Sequence, residues 1–245
     1  MISVCLATYN GMNYLAEQLN SILPQLGKSD ELIIVDDCSS DSTFEYLLSL
    51  DDSRINLFKN DVNLGVIKSF EKAILLSKGE FIFLSDQDDI WLEGHIEIMI
   101  EKLLSTNCDL VSSNFSLIDS AGNFTGDIKI PLKEKDSNRF LNNLVKIFFG
   151  DIYYFGCCMA FRRRLLQKIL PIPSFVESHD LWIATVANFN HTNYHLENKL
   201  LLRRIHGSNV SVVNRNIFRK IISRLFFLGS IFIIFSRKLK NNDRL

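Results

Sequence analysis

Through most of the chain, short unbroken apolar runs alternate with longer stretches in which apolar residues recur every three or four positions. Unbroken runs suit strands buried on both faces, and the wider spacing suits helices with one buried stripe. The pattern therefore predicts βα units wound around a parallel sheet. Ile2–Ala7, Leu32–Val35, Ile55–Phe58 and Phe81–Leu84 read as the first four strands. Between them, a helix from about Asn13 turns Leu15, Leu19, Ile22 and Leu23 to one side and stops at Pro24. Another follows the cap-rich Ser39-Ser40-Asp41-Ser42-Thr43 with Phe44, Leu47 and Leu48. A third is introduced by Gly65, carries Ile67, Phe70, Ile74 and Leu75, and closes at Ser77-Lys78-Gly79.

After Trp91 a helix with Ile96, Ile100, Leu103 and Leu104 leads to a strand from Leu110-Val111, and Ser120-Ala121-Gly122-Asn123 marks a turn. Alternation then fades into a polar stretch up to about Arg139. Beyond it come a strand around Cys158–Phe161, a helix over Arg163–Ile169 stopped by Pro171 and Pro173, a helix over Asp180–Asn190 and a strand near Leu200–Arg203. With no internal repeat and no low-complexity linker, the reading is one compact α/β domain over residues 1–210, followed by a basic C-terminal segment over 211–245.

Charge sharpens that division. The net charge of −1 hides ten Lys/Arg against one acid in residues 203–245, which leaves 17 basic and 27 acidic residues before them. A body carrying −10 excludes nucleic acid as a partner, since that would require a basic surface interleaved with stacking aromatics. The five cysteines, at 5, 38, 108, 157 and 158, have no paired metal-ligand spacing, and no cleavable signal precedes the first strand. Both features point to a reduced, cytoplasmic protein with thiols used in packing.

In parallel α/β sheets ligands bind beyond the carboxyl ends of the strands. Here those ends carry Thr8-Tyr9-Asn10, Asp36-Asp37 and Asp86-Gln87-Asp88-Asp89. Three carboxylates within four residues repel one another unless a cation or hydrogen-bond donors compensate, and a hard divalent cation bridging phosphate oxygens is one such compensation. The structural alternative is an acidic loop in which Asp89 caps the helix expected near Trp91. Neither Gly-x-Gly-x-x-Gly nor Gly-x-x-x-x-Gly-Lys-Ser/Thr is present, which argues against a dinucleotide dehydrogenase and a P-loop enzyme.

Taken in order, Ser3-Val4-x-x-Ala7-Thr8-Tyr9-Asn10-Gly11, Ile34-Val35-Asp36-Asp37-Cys38-Ser39-Ser40-Asp41, Asn63-x-Gly65 and Phe83-Leu84-Ser85-Asp86-Gln87-Asp88-Asp89-Ile90-Trp91 resemble the family 2 glycosyltransferases, most closely their rhamnosyltransferase-like members. The resemblance continues through Gly156-Cys157, Pro171-x-Pro173, His179-Asp180-x-Trp182 and Arg204-x-His206-Gly207-x-Asn209, spanning about residues 2–210. It implies a glycosyltransferase-A fold, with a Rossmann-like, mostly parallel sheet flanked by helices, that binds a nucleoside-diphosphate sugar and one Mg²⁺ or Mn²⁺. By that similarity Thr8, Asn10 and Asp36 contact the nucleotide, Asp36 at the pyrimidine ring. Asp86 faces the ribose or its neighbourhood, Asp88 coordinates the metal, and Asp89 buttresses the loop or caps the helix.

Sugar transfer needs a stabilised leaving diphosphate and a base for the acceptor hydroxyl. The His179-Asp180-x-Trp182 match makes Asp180 the candidate base for an inverting reaction, set against the plainer role of an acid at a helix N-terminus. The Arg204-x-His206 match makes His206 a candidate metal or diphosphate ligand, set against a packing histidine. Arg204 would neutralise phosphate or pair with the acidic body. Trp91 and Trp182 are candidates for sugar stacking or for burial, and Gly156-Cys157 for a close approach or a tight bend.

The resemblance implies transfer, with rhamnose on deoxythymidine diphosphate as a candidate donor, to a saccharide or lipid-linked acceptor of a cell-surface polysaccharide. A non-catalytic nucleotide-sugar-binding protein and a nucleotidyltransferase are the alternatives. In the tail, the apolar run Leu225–Phe235 between basic ends is too short to span a bilayer. It predicts an amphipathic helix lying on the inner face of an anionic membrane, or packing on the core or a second subunit.

Overall fold

The computed structural model describes residues 1–207 and 217–242. Asn209 of the motif that begins at Arg204, and Arg215, one of the basic residues of the tail, lie outside the described residues, as do the first residues of the expected C-terminal segment. The strands are β1 (Ile2–Thr8), β2 (Glu31–Asp36), β3 (Ile55–Lys59), β4 (Phe81–Ser85), β5 (Ile90–Trp91), β6 (Leu110–Ile118), β7 (Phe124–Asp127), β8 (Met159–Arg162) and β9 (Asn193–Arg204). The helices are α1 (Met12–Ile22), α2 (Thr43–Leu48), α3 (Val66–Leu76), α4 (His95–Ser105), α5 (Phe140–Phe149), α6 (Leu166–Ile169), α7 (His179–Phe189) and α8 (Ile217–Asn242).

One sheet runs in the order β3-β2-β1-β4-β8-β6-β9-β5, with β7 on the side of β6. The expectation of a mostly parallel sheet holds in part. β3, β2, β1 and β4 are parallel, and β6 and β9, in the second half, are also parallel to each other. β8, however, enters antiparallel between β4 and β6, and β5 and β7 are antiparallel to their partners. The sheet is therefore mixed. Antiparallel neighbours can come from short connections or from distant segments without a βα crossover, so helical periodicity between strands did not reveal them.

Strand alternation splits the core into two layers. Cys5, Ile33, Val35, Ile82 and Leu84 pack with Phe70 and Ile74 of α3 and with Ile183 and Val186 of α7. Val4, Leu6, Leu32, Ile34 and Phe83 pack with Leu15 and Leu19 of α1, Leu47 of α2 and Met99 and Leu103 of α4. Helices thus cover both faces, and each fully buried Leu, Ile or Phe contributes roughly 1.5–3 kcal/mol. Leu48, Leu75 and Leu104, expected to face inward, are exposed because each lies at the edge of its helix's buried stripe.

Three local readings change. Ile90-Trp91 is a short strand rather than the start of a helix, and α4 begins only at His95 after Gly94, which adopts φ 77°. Asp89 therefore does not cap that helix. The polar stretch before Arg139 contains β7, which forms a hairpin with β6 through the Asp119–Asn123 turn, and α5 follows it unannounced by a clear polar face. The last strand is much longer than Leu200–Arg203, because pairing with β6 carries it through the polar positions 197–199.

Candidate functional site

Thr8, Asp36 and Ser85 end adjacent parallel strands, so the loops that follow share one rim of the sheet. Gln87 ties two of them together. Its Oε1 accepts the Thr8 hydroxyl at 2.6 Å and the Tyr9 amide at 2.8 Å, while its Nε2 donates to the Tyr9 carbonyl at 3.2 Å. Gly11 is required beside this clasp, since a Cβ there would lie 2.5 Å from Gln87 Oε1. Asn10, at φ 49°, binds the neighbouring loop: its amide donates to Ser39 Oγ at 2.9 Å and its Oδ1 accepts the Ser40 amide at 2.8 Å.

The Asp36-Asp37 pair divides its work. Asp37 accepts Asn60 Nδ2 at 2.7 Å and the Leu64 and Gly65 amides at 2.9 and 2.8 Å, so it shapes the loop before α3. Asp36 accepts the Ser39 amide at 3.0 Å through Oδ2, and its buried Oδ1 has no partner among the described residues.

β5 brings the acidic quartet against the end of β9, through the pairs Ile90↔Leu202 and Trp91↔Leu201. Asp89 Oδ1 accepts the Arg204 amide at 3.0 Å, and the Arg204 guanidinium donates to the carbonyls of Asp88, Asp119 and Ser120 and to Glu17. Arg204 is thus committed to the protein rather than open for phosphate. Asp89 buttresses the loop, one of the two roles expected of it. Asp88, on the outer side, presents Oδ2 2.7 Å from His206 Nε2.

Burial and the Asp89 and Asp88 charges push the Asp86 carboxyl above its usual range, and burial with Asp88 does the same for Asp89. Among the described residues, Asp86, Asp89 and Cys157 form the one group of three potential metal ligands, with ligand atoms within 4.8 Å of one another. The hydrogen bond with Cys158, together with burial, raises the Cys157 thiol well above its usual range, so it stays protonated and is a poor partner for a hard cation. Asp88 and His206, a carboxylate and an imidazole nitrogen, are the better-matched pair. In the structure the two are hydrogen-bonded to each other at 2.7 Å, and they are the side chains that would hold a small divalent ion in this corner.

Asp180 opens α7, with Oδ1 accepting the Leu181 amide at 2.7 Å and Oδ2 accepting the Gly156 amide at 3.3 Å. Its charge is among those that raise Asp86, which places it in the same acidic corner. His179 beneath it is buried, stacks on Phe70 at 4.1 Å, and is kept below its usual pKa by burial. Gly156 makes a close approach: a Cβ there would sit 2.7 Å from His179 Nε2. Trp91 and Trp182 are buried, Trp91 stacked on His95 and Trp182 donating to the Ile169 carbonyl at 2.8 Å, so neither offers a face to a sugar.

The structure thus brings Thr8, Asn10, Asp36, Asp86, Asp88, Asp180 and His206 to one side of the sheet. The sequence reading missed the clasp by Gln87, although it lies within the quartet, and it also missed Arg203, which adjoins the Arg-x-His motif.

The model of Glycosyl transferase family 2 matches residues 3–170. The UDP-Glc:alpha-D-GlcNAc-diphosphoundecaprenol beta-1,3-glucosyltransferase WfgD of Escherichia coli is 28% identical over 195 residues, covering 78% of this chain and 71% of WfgD. A protein named for teichuronic acid biosynthesis, TuaG of Bacillus subtilis, is 30% identical over 124 residues, covering 50% of this chain and 49% of TuaG. S. aureus TarS, crystallised in complex with UDP-GlcNAc, superposes with a TM-score of 0.73 at 20% identity over 94% of this chain and 66% of that one. That likeness concerns the fold.

Proposed function

Because this chain belongs to glycosyl transferase family 2, we propose that it moves a sugar, with inversion, from a nucleoside-diphosphate sugar to a saccharide or lipid-linked acceptor during assembly of a cell-surface polysaccharide. The observation that carries the reading is the convergence of Asp88 and His206, 118 residues apart in the chain, beside Asp86 and within the electrostatic reach of Asp180. Thr8, Asn10 and Asp36 stand at the nucleotide end, where the buried, unpartnered Asp36 Oδ1 would accept a ring N–H once a base displaces the groups that cover it. Asp88 and His206 would hold Mg²⁺ or Mn²⁺, which when bound supplies positive charge to the leaving diphosphate. Asp180 takes the proton of the acceptor hydroxyl as that oxygen attacks the anomeric carbon from the side opposite the diphosphate. Gly156 N–H holds the carboxylate in place, and Asp86 and Asp89 line the floor.

WfgD is named for a UDP-glucose donor, which favours a uridine diphosphate sugar over the rhamnose donor suggested by motif resemblance. Thermal unfolding with UDP-glucose, UDP-GlcNAc and deoxythymidine-diphosphate rhamnose, each with and without Mn²⁺, tests the reading. A metal-dependent gain for one donor is expected, and the absence of a gain for every nucleotide sugar defeats it.

No helix among the described residues is long and apolar enough to cross a membrane. α8 nevertheless exposes Ile221, Leu225, Leu228, Phe232, Phe235 and Leu239, spaced alternately four and three apart and each between 48 and 71% exposed. Its opposite side packs on α7 and α5, with Ser230 and Ile234 buried. α8 carries Arg219, Lys220, Arg224, Arg237, Lys238 and Lys240 and no acid, so two copies face to face would set cation against cation. An anionic membrane surface accepts both the stripe and the cations, which matches a lipid-linked acceptor.

A further inference from the structure

Arg203 and Arg204 are neighbours at the end of β9, and both are enclosed, at 8 and 2% exposure. Their surroundings differ sharply. The Arg204 guanidinium donates to three carbonyls and a carboxylate, whereas no N–H of the Arg203 guanidinium reaches an acceptor among the described residues. Arg203 instead lies over the Phe155 ring at 4.5 Å and beside Phe115 at 5.8 Å. Two aromatic rings brace a guanidinium without using its in-plane donors, so five donors on a fixed fork remain available.

The direction it faces is set by its neighbours. Phe155 immediately precedes Gly156 and Cys157, whose amide and thiol belong to the Asp180 and Asp86–Asp89 corner. The Arg203 charge acts on both Asp86 and Asp89, yet it forms no ion pair with either within 4 Å. Arg203 is nine-tenths buried as a residue, yet its guanidinium nitrogens keep contact with solvent and donate to no acceptor among the described residues. A guanidinium acting only as a counter-charge would be expected to close onto a carboxylate. Its arrangement suits an anion that arrives from outside, and the group matching a planar fork of donors in a bidentate manner is a phosphate.

We propose that Arg203 is a phosphate-binding residue of the reaction site, gripping a phosphate oxyanion of a bound substrate. This rests on the sugar-nucleotide reading above. Two substrates could bring that phosphate: the donor, whose diphosphate leaves, or a lipid-linked acceptor that carries its own. In either case Arg203 adds a permanent positive charge on the Phe155 side of the acidic corner, separate from the Asp88–His206 pair.

The test uses the full chain and two variants, Arg203→Gln, which keeps much of the side-chain length without the charge, and Arg203→Lys, which keeps the charge without the fork. Calorimetric titrations with uridine, UDP and inorganic pyrophosphate in the presence of Mn²⁺ are compared with acceptor KM values measured on phosphate-bearing and phosphate-free acceptors. If the donor supplies the phosphate, R203Q weakens UDP and pyrophosphate roughly 10- to 100-fold, as expected for one charge-assisted contact, and leaves uridine unchanged. R203K recovers part of the loss. If the acceptor supplies it, UDP binding holds and only the KM for the phosphate-bearing acceptor rises. Equal weakening of uridine and UDP, or no change in any of these measurements, overturns the inference. A wild-type chain that binds pyrophosphate through Arg203 but gains nothing from UDP over uridine sinks the sugar-nucleotide reading and leaves the phosphate grip standing.

Discussion

His206 Nε2 lies 2.7 Å from Asp88 Oδ2 and joins positions 118 residues apart. Two other links hold the same junction: β5 pairs with β9, and the Arg204 amide and guanidinium clamp the quartet through Asp89 and the Asp88 carbonyl. The pair therefore sits on backbone braced from both sides, which fixes where the two side chains meet.

Removing either partner should separate metal-dependent binding from folding. In thermal unfolding with Mn²⁺ and a saturating nucleotide sugar, the wild type is expected to gain about 5 to 10 °C. Asp88→Asn should gain nothing and His206→Gln only part of that, with both apo midpoints near the wild-type value. A full metal-dependent gain in D88N would remove Asp88 from the metal site.

Asp180→Asn removes the base and keeps one side-chain oxygen to accept either the Leu181 or the Gly156 amide. Transfer should fall by about 10²- to 10⁴-fold with donor affinity unchanged. If transfer continues at the wild-type rate while the donor still binds, the base lies elsewhere.

At Gly156 a methyl group would meet His179 Nε2 at 2.7 Å, and His179 is wedged against Phe70. Gly156→Ala should cost about 1–3 kcal/mol in urea unfolding and should also depress transfer, because the Gly156 amide positions Asp180. Unchanged stability would mean that the His179 ring moves freely, contrary to its packing.

Two buried histidines give stability a defined pH dependence. Burial lowers both His95 and His195 to about 4 from an ordinary value of 6.5. Above pH 6.5 both are neutral in native and unfolded chains. Between 6.5 and about 4 the unfolded chain takes up protons that the native chain refuses, so stability falls as pH falls, each histidine contributing a slope of at most about 1.4 kcal/mol per pH step of one. The buried Asp86 and Asp89, whose carboxyls burial holds above their usual range, act in the opposite sense over the same range, so the histidine decline is read from how the urea midpoint between pH 7.5 and 4 differs between wild type and a histidine variant. His95→Phe, which keeps the stack on Trp91, should remove the His95 share of it.

The exposed stripe on α8 should bring the chain to vesicles. Flotation with phosphatidylglycerol vesicles is expected to carry the protein, and neutral phosphatidylcholine vesicles much less. Replacing Leu228 and Phe232 with Ser should abolish binding without altering donor affinity. Retained flotation, or a dimer that dissociates only in this variant, would assign the stripe to another partner.

Local order determined much of this protein. Apolar runs marked β1 to β4, helical spacing marked α1, α3 and α4, and the polar residues beyond the strand ends marked the rim, because burial pattern and side-chain period are properties of neighbouring residues. The sequence could not show that β8 would insert antiparallel between β4 and β6, or that Ile90-Trp91 would pair with residues 201 and 202. Those pairings depend on which distant edges meet. The same limit applies to the site. Asp88 and His206 were both legible as candidates through the motif resemblance, but their contact, the clasp by Gln87 and the contrast between Arg203 and Arg204 were decided by tertiary packing. The side chains surrounding each group set its hydrogen bonds and desolvation, and most of those neighbours are remote in the chain.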